Sequence, residues 1–167
     1  MSSESGDHGS SRKMPPNELK KRIIEFLKGQ NMFVLATCSN DIPRATPIEY
    51  RSKGITMYFV GEPGVKLENI KNNPKVSVGI FHPYIGWDSA KGAQITGKAK
   101  IISRKNSGEF KEGLEAYQWE KTGKELGLQT FPETGVELVK VEPEKIEYVD
   151  MSLKKVGYSP RQILNLP

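Results

Sequence analysis

The chain has 167 residues and a formal charge of +5, a length that suits one domain able to fold without a metal ion or a disulfide. Its single cysteine, Cys38, excludes an intramolecular disulfide, and no apolar run reaches the roughly 20 residues of a membrane helix. Because residues 1–13 lack the apolar segment of a secretory signal, we expect a cytoplasmic protein with no membrane partner.

The N-terminal region predicts a tail followed by a helix. Residues 1–13 are small, polar and without periodicity, so we expect a disordered tail, with 14–167 forming one domain. Apolar side chains then share one face of a predicted helix that ends at Gly29. These side chains are Leu19, Ile23, Phe26 and Leu27.

Three short strands are predicted next, at 32–38, 43–51 and 55–60. Turn-forming residues separate them, which favours a meander of antiparallel hairpins. Pro47 lies inside the second strand and cannot donate a ladder hydrogen bond. We therefore expect that strand to lie at a sheet edge or at a break in pairing.

The remaining chain predicts further strands with helices beside them. A short helix covers about 65–73, a strand 75–81 and a long strand 93–103. Ser107 is placed to cap a helix that contains Phe110, Leu114 and Tyr117 and extends toward Trp119. The last strands, 136–141 and 145–150, are predicted to be split by Pro143. Six or seven short strands without long crossover helices indicate a mostly β fold, an antiparallel barrel with flanking helices.

Familiar catalytic and metal-binding sets are not evident. The two histidines, His8 and His82, cannot form a multi-histidine metal site, so we predict no metal, and catalytic residues stay unassigned. Cys38 at a strand end is more typical of packing than of a nucleophile paired with His82. A basic strip lacks interleaved aromatic residues, so we expect no nucleic acid. The strip contains Lys98, Lys100, Arg104 and Lys105.

The segment 61–66, GEPGVK, runs from a strand end through a glycine-rich bend into a short helix. Free N–H groups and a partial positive charge at a helix N-terminus favour anions, and Lys66 adds a full charge. The segment therefore indicates a phosphate-binding site. The alternative is an ordinary solvated lysine in the first turn of a helix.

The order of several segments resembles the FMN-binding split-barrel family that includes pyridoxamine 5′-phosphate oxidase. The segments are VLAT, PRATPIEY, GITMYFVGEPGVKLENIKNNPKVSVGIF and ITGKA. The resemblance implies a six- or seven-stranded split barrel that binds FMN. It further implies a homodimer with the flavin at the interface, and an oxidoreductase acting on an unknown small redox substrate.

Carried over residue by residue, the resemblance places Lys66 at the FMN phosphate, with the backbone of Gly64 and Val65. The second strand would lie along the isoalloxazine ring, and the end of the third near the phosphate. Gln94 would reach the cofactor from the partner subunit, and Trp87 would stack on the ring or cover the pocket. The strand residues implied are Arg44, Thr46, Pro47, Ile48, Glu49, Arg51, Phe59 and Val60.

Two departures from the family pattern argue against oxidation of pyridoxamine phosphate itself. Val65-Lys66 stands where the oxidases have an Arg-Lys pair, and the C-terminal YSPRQILNLP lacks their Arg-x-His motif. Alternatives to an enzyme are a flavin-holding electron carrier or a redox sensor. The same fold also accommodates a deazaflavin or haem, although the scarcity of histidine disfavours haem.

Overall fold

Eight strands form one antiparallel sheet in the computed structural model, which describes residues 12–167. Their order is β2-β1-β5-β6-β7-β4-β3, with β8 paired to β7. The sheet curls into the predicted split barrel, because the end strand β2 approaches β4 without pairing with it. The strands are β1 (Met32–Ser39), β2 (Ile42–Glu49), β3 (Arg51–Lys53), β4 (Thr56–Gly61), β5 (Lys75–Phe81), β6 (Lys91–Ile101), β7 (Glu137–Asp150) and β8 (Arg161–Asn165).

Four helices flank the sheet, and short 3₁₀ segments lie at Trp87–Ser89 and Met151–Val156. The helices are α1 (Pro16–Gly29), α2 (Val65–Asn72), α3 (Ser107–Tyr117) and α4 (Trp119–Glu125). The predicted apolar face of α1 is confirmed, since all four of its side chains are buried in the main core of the barrel. Each such burial contributes about 1.5–3 kcal/mol relative to exposure. None of the helices within residues 12–167 has the length and apolar character to cross a membrane.

The β1–β2 hairpin forms where the turn residues predicted it. Asn40 and Asp41 have φ of 51° and 60°, the left-handed pair that a two-residue type I′ hairpin turn requires. The edge position expected for Pro47 is confirmed, because β2 pairs with β1 alone among the described strands.

The predicted three-stranded meander is wrong, since β4 pairs with β3 and β7 and not with β2. Tyr50 ends β2 and turns the chain away. Its side chain is fully buried, its hydroxyl donates to the Leu27 carbonyl at 2.7 Å, and its amide donates to the Asn31 carbonyl at 2.9 Å.

The strands predicted on either side of Pro143 are one continuous strand, β7. Pro143 pairs with Gly97, whereas Lys145 pairs with the preceding Thr96. Glu144 therefore has no residue opposite it, which is the geometry of a β-bulge and explains why proline is tolerated. A Cβ at Gly97 would collide with the Glu142 carbonyl oxygen, so the bulge requires glycine there.

A second, smaller core lies where α3 and α4 pack against β4 and β7. Its buried members are Tyr58, Ile102, Tyr117, Trp119, Phe131 and Leu138. Asn106, not the predicted Ser107, caps α3, and its side-chain oxygen accepts from the Glu109 amide at 3.3 Å. The helix ends at Gln118, whose φ of 60° is left-handed, so the predicted extension of one helix to Trp119 is interrupted.

The strand β8 was missed by the sequence analysis and binds the N-terminal residues. The Ser159 amide donates to the Arg12 carbonyl at 2.8 Å, and the Met14 amide donates to Gln162 Oε1 at 3.0 Å. Arg12 and Lys13, assigned from sequence to a disordered tail, are therefore hydrogen-bonded. Residues 1–11 of that tail lie outside the described residues.

Candidate functional site

A cavity of about 420 Å³ lies between the free edge of β2, the end of β4, the start of α2 and the helices α3 and α4. Its volume falls within the range of small-molecule sites. Six of the residues implied by the resemblance line it: Thr46, Pro47, Ile48, Glu49, Val60 and Lys66. Seven others complete the lining: Gly61, Glu62, Tyr117, Trp119, Thr122, Leu126 and Val136.

The β2 side of the cavity is a sheet edge. Because β2 pairs only with β1 among the described strands, alternate backbone groups on its other edge have no strand partner. The hydroxyl of Thr46 is buried and has no hydrogen-bond partner within residues 12–167. An unsatisfied buried hydroxyl costs about 1–3 kcal/mol.

Lys66 lies at the end of the cavity away from β2, in the first turn of α2. Its side chain folds over Gly61, where an added Cβ would lie 3.1 Å from Lys66 Cε. Lys66 Nζ donates to the Glu62 carbonyl at 3.0 Å, which leaves two of its three donor hydrogens for a ligand. Gly64 has a φ of 154° that disfavours any side chain, so this bend is built around glycine.

Two asparagines hold α2 against β1 and so fix the position of Lys66. Asn69 is buried and donates to the Thr37 hydroxyl at 3.0 Å. Asn73 Nδ2 donates to the Cys38 carbonyl at 3.0 Å, and its Oδ1 accepts from the Lys75 amide at 3.2 Å. The Asn-Asn-Pro end of the helix thus serves as an anchor to β1 and β5.

A three-residue polar cluster borders the cavity between β2 and α3. The Tyr117 hydroxyl donates to Glu49 Oε2 at 2.6 Å, and the same carboxylate forms an ion pair with Arg51. Burial, reinforced by the bond to Glu49, raises the pKa of the Tyr117 phenol, so it stays protonated and acts as a donor. Sequence analysis missed Tyr117 as a site residue because its partner lies 68 residues earlier.

Trp119 forms another wall that the sequence analysis assigned only to a helix. Its ring contacts Phe131 edge-on, with centroids 4.8 Å apart. Its indole nitrogen is buried without a partner among the described residues and packs beside Gly123, where an added Cβ would lie 3.3 Å away. The aromatic spacing of α3 and α4 is the only sequence signal that pointed here.

Four of the other residues implied by the resemblance do not line the cavity. The Phe59 side chain is fully buried in the barrel core, so only its main chain is available near the phosphate end. Arg44 is exposed two residues before Thr46. Gln94 lines a separate depression of about 400 Å³ formed by β5, β6, β7 and β8, and Trp87 is 74% exposed on the β5–β6 loop.

The basic strip noted in the sequence is engaged within the chain. Lys98 lies 3.3 Å from Glu144 and Lys100 lies 2.8 Å from Glu109. The Arg104 guanidinium donates to the Val136 carbonyl and stacks over Phe110 and Phe131. Across residues 12–167 no group of three or more His, Cys, Asp and Glu side chains is placed to hold a metal ion.

Comparison with known sequences gives one family and one curated relative. The family model described as pyridoxamine 5′-phosphate oxidase matches residues 19–150. The chain is also 29% identical over 87 residues to UPF0306 protein PM1958 of Pasteurella multocida (strain Pm70). That match spans 50% of this chain and 58% of the relative.

Solved structures share the fold at low sequence identity. General Stress Protein 26 from Bacillus anthracis str. Sterne is 23% identical with a TM-score of 0.64, over 89% of this chain and 99% of its own. An FAD-binding protein from Mesorhizobium loti is 18% identical with a TM-score of 0.62, over 81% and 94%. A heme-binding protein from Mycobacterium smegmatis is 15% identical with a TM-score of 0.61, over 92% and 59%.

These likenesses agree with the curled antiparallel sheet. The family match covers the segment from α1 to the end of β7, which includes every strand except β8. The chain belongs to the pyridoxamine 5′-phosphate oxidase family.

Proposed function

We propose that the cavity beside β2 binds FMN and that the chain is an FMN-dependent oxidoreductase with a small-molecule substrate. The observation that carries this proposal is the meeting of Lys66 at a helix start and an unpaired strand edge in one cavity. A flavin mononucleotide has matching ends, a phosphate and a planar ring rimmed with hydrogen-bonding atoms.

The chemistry of the lining fits each part of such a ligand. Lys66 and the first-turn amides of α2 suit the phosphate. The free edge of β2 and the unpaired Thr46 hydroxyl suit the polar rim of the ring. Apolar walls suit its faces, and they are formed by Pro47, Ile48, Val60, Trp119, Leu126 and Val136.

Bound flavin would supply acceptance and donation of a hydride or of electrons, and the protein would supply binding, orientation and charge. Tyr117 and Glu49 would stiffen the wall between β2 and α3. The cluster of Tyr117, Glu49 and Arg51 also keeps one cation and one phenolic donor at the cavity border.

Flavin fits this lining better than haem, although one protein of the same fold is described as heme-binding. Within residues 12–167, the side chains that line the cavity include no His, Cys or Met, which are common axial ligands of haem iron. Tyr117 carries the one phenolic oxygen in the lining, and that oxygen is already committed to Glu49. A deazaflavin, which shares the ring and phosphate ends, is the closer competitor.

We further propose a homodimer in which the face bearing Gln94 meets a second copy. Large apolar side chains are exposed on and beside this face, among them Phe81 at 68%, Trp87 at 74% and Ile163 at 51%. Exposed apolar side chains gathered in this way mark interaction surfaces. Phe81→Glu should therefore convert a dimer into a monomer in sedimentation experiments, and an unchanged dimer would contradict this face.

The test of flavin binding compares two lysines of α2. Purified protein is titrated with FMN, uptake is followed by quenching of flavin fluorescence, and any cofactor that copurifies is identified by mass. Lys66→Ala removes the phosphate contact and should weaken FMN binding by up to about tenfold, the scale of one charge-assisted hydrogen bond. Lys71→Ala, in the last turn of the same helix, is the matched control and should bind FMN like the parent.

Four outcomes decide the proposal. Protein that fails to take up FMN would overturn it, and equal FMN affinity in the Lys66 and Lys71 variants would remove Lys66 from the site. Stoichiometric FMN binding with steady reduction or oxidation of a small substrate would support an enzyme. Binding without turnover would instead support the carrier or sensor function.

A further inference from the structure

The charges around the phosphate end of the cavity are unusual for a site that must hold a dianion. Of the charged side chains that line the cavity, two are acidic, Glu49 and Glu62, and one is basic, Lys66. The Glu49 carboxylate is balanced by Arg51. Glu62 forms no ion pair within residues 12–167, so its charge offsets that of Lys66.

The loop that carries Lys66 also limits what the lysine can offer. Lys66 Nζ already donates to the carbonyl of Glu62, so the ammonium and the opposing carboxylate belong to residues that are tied together. A phosphate that binds Lys66 must therefore come close to residue 62, and the two negative charges repel each other.

The helix start compensates for this repulsion only in part. Its first residue, Val65, is apolar and 47% exposed, and Glu68 places another carboxylate in the first turn. A carboxylate in the first turn already satisfies the positive end of the helix dipole. The Leu67 amide donates to the Gly64 carbonyl at 3.0 Å, which removes one of the first-turn donors that a phosphate would otherwise meet.

The remainder of the cavity has the opposite character. Its walls are mostly apolar, and it has a strand edge and the unpaired Thr46 hydroxyl along one side. Apolar burial and edge hydrogen bonds act on the uncharged part of a flavin and are the same with or without a phosphate.

We infer that flavin is an exchangeable ligand of this chain, bound chiefly through its ring, and that Glu62 sets a weak preference for the phosphorylated form. This inference rests on the proposed function. It predicts that FMN is preferred over riboflavin by less than about tenfold, or 1.4 kcal/mol, and that bound flavin is removed by dialysis.

The test measures dissociation constants of FMN and riboflavin for the full chain by fluorescence quenching. Glu62→Gln keeps the size of the side chain and removes its charge. It should tighten FMN by about two- to fivefold, the range for one exposed charge interaction, and leave riboflavin unchanged. Raising the salt concentration should reduce this gain because the groups are close to solvent.

The matched control is Glu18→Gln, which makes the same change in net charge in the exposed first turn of α1. It should leave both affinities unchanged. Equal tightening of FMN by the two variants would attribute the effect to overall charge and overturn the role of Glu62. Equal tightening of FMN and riboflavin by Glu62→Gln would overturn it as well.

Measurements on the unmodified chain separate a failure of this inference from a failure of flavin binding. Retention of FMN through dialysis, or a preference for FMN over riboflavin above about tenfold, would overturn the inference and leave the proposed function standing. Failure to bind either flavin would instead overturn the proposed function, and the inference with it.

Discussion

Two polar clusters of this chain contrast sharply, one around Asp150 and one around the cavity. Asp150 is fully buried at the end of β7, and both of its oxygens are saturated. Oδ2 accepts from Arg22 at 2.9 and 3.1 Å and from the Tyr148 hydroxyl at 3.1 Å. Oδ1 accepts from the Ser152 hydroxyl at 2.6 Å and the Ser152 amide at 3.0 Å.

The cavity cluster is incomplete by comparison. Thr46 and Trp119 both line the cavity, and each has a buried polar atom without a partner within residues 12–167. A saturated buried network has no capacity for a ligand and serves to fix the fold, whereas unpaired groups store free energy that a ligand can release. The contrast therefore separates a structural polar site from a binding one.

The largest effect on stability is expected at Asp150, because both of its carboxylate oxygens are fully hydrogen-bonded. Asp150→Asn removes the charge that Arg22 and Lys91 face and should lower the free energy of unfolding by about 3 kcal/mol or more, measured by urea denaturation. Glu147→Gln, which loses only the half-exposed pair with Lys145 at 3.4 Å, is the control and should change stability by less than about 1 kcal/mol. Equal losses in the two variants would contradict the structural role of Asp150.

The Asp150 carboxyl also makes the stability of the protein fall at acidic pH. Burial raises the pKa of Asp150, but hydrogen bonds from Ser152 and Arg22 and the charge of Lys91 outweigh it and hold the pKa below its ordinary value of 3.8. Its contribution is therefore complete above that value and is lost as pH falls through the lowered pKa. Acid titration of unfolding should show this loss in the parent and a flatter profile in Asp150→Asn.

A buried hydrogen-bonded pair outside the Asp150 cluster extends the comparison to the contact between α2 and β1. Thr37→Val leaves the buried Asn69 amide without its acceptor and should cost about 1–3 kcal/mol of unfolding free energy. Adding Asn69→Leu should recover much of that loss, because both polar partners are then gone. A double variant less stable than Thr37→Val would contradict this account.

The loss of stability expected at Tyr117 is intermediate, because Tyr117 links the cavity wall to α3 through one hydrogen bond. Tyr117→Phe should cost about 1 kcal/mol, because Glu49 keeps Arg51 and partial access to water. Thermal unfolding measures the loss. Tyr58→Phe is the control and should be closer to neutral, because Tyr58 lies in the same core but its hydroxyl makes no hydrogen bond within residues 12–167.

The smallest effect on stability is expected at Thr46. Thr46→Val has nearly the same shape and removes a hydroxyl that has no partner, so stability should stay the same or rise by up to about 1 kcal/mol. FMN affinity should fall by a few-fold, because the ligand loses a hydrogen bond. A stability loss as large as that of Thr37→Val would show that the hydroxyl is already satisfied.

Sequence reasoning succeeded where the determining interactions are local. The Asn40–Asp41 turn, the apolar face of α1 and the strand 75–81 follow from neighbouring residues. The six predicted residues that line the cavity came from the family resemblance, which covers the segment that contains β2, β4 and α2.

What sequence reasoning missed depends on residues far apart in the chain. The pairing of β4 with β7 and the Tyr117–Glu49 bond join residues separated by 68 positions or more. The continuity of β7 through Pro143 depends on a bulge that exists only opposite Gly97. Periodicity within a window cannot carry these constraints, because each is set by the packing of a second element.

The two tryptophans, the only ones in the sequence, give the molecule built-in optical reporters. Trp119 is 9% exposed on the cavity wall, whereas Trp87 is 74% exposed on the β5–β6 loop. Iodide should therefore quench the emission of Trp87 and spare that of Trp119. Occupation of the cavity and burial of the loop in an assembly would then be read as two separate fluorescence signals from one unlabelled sample.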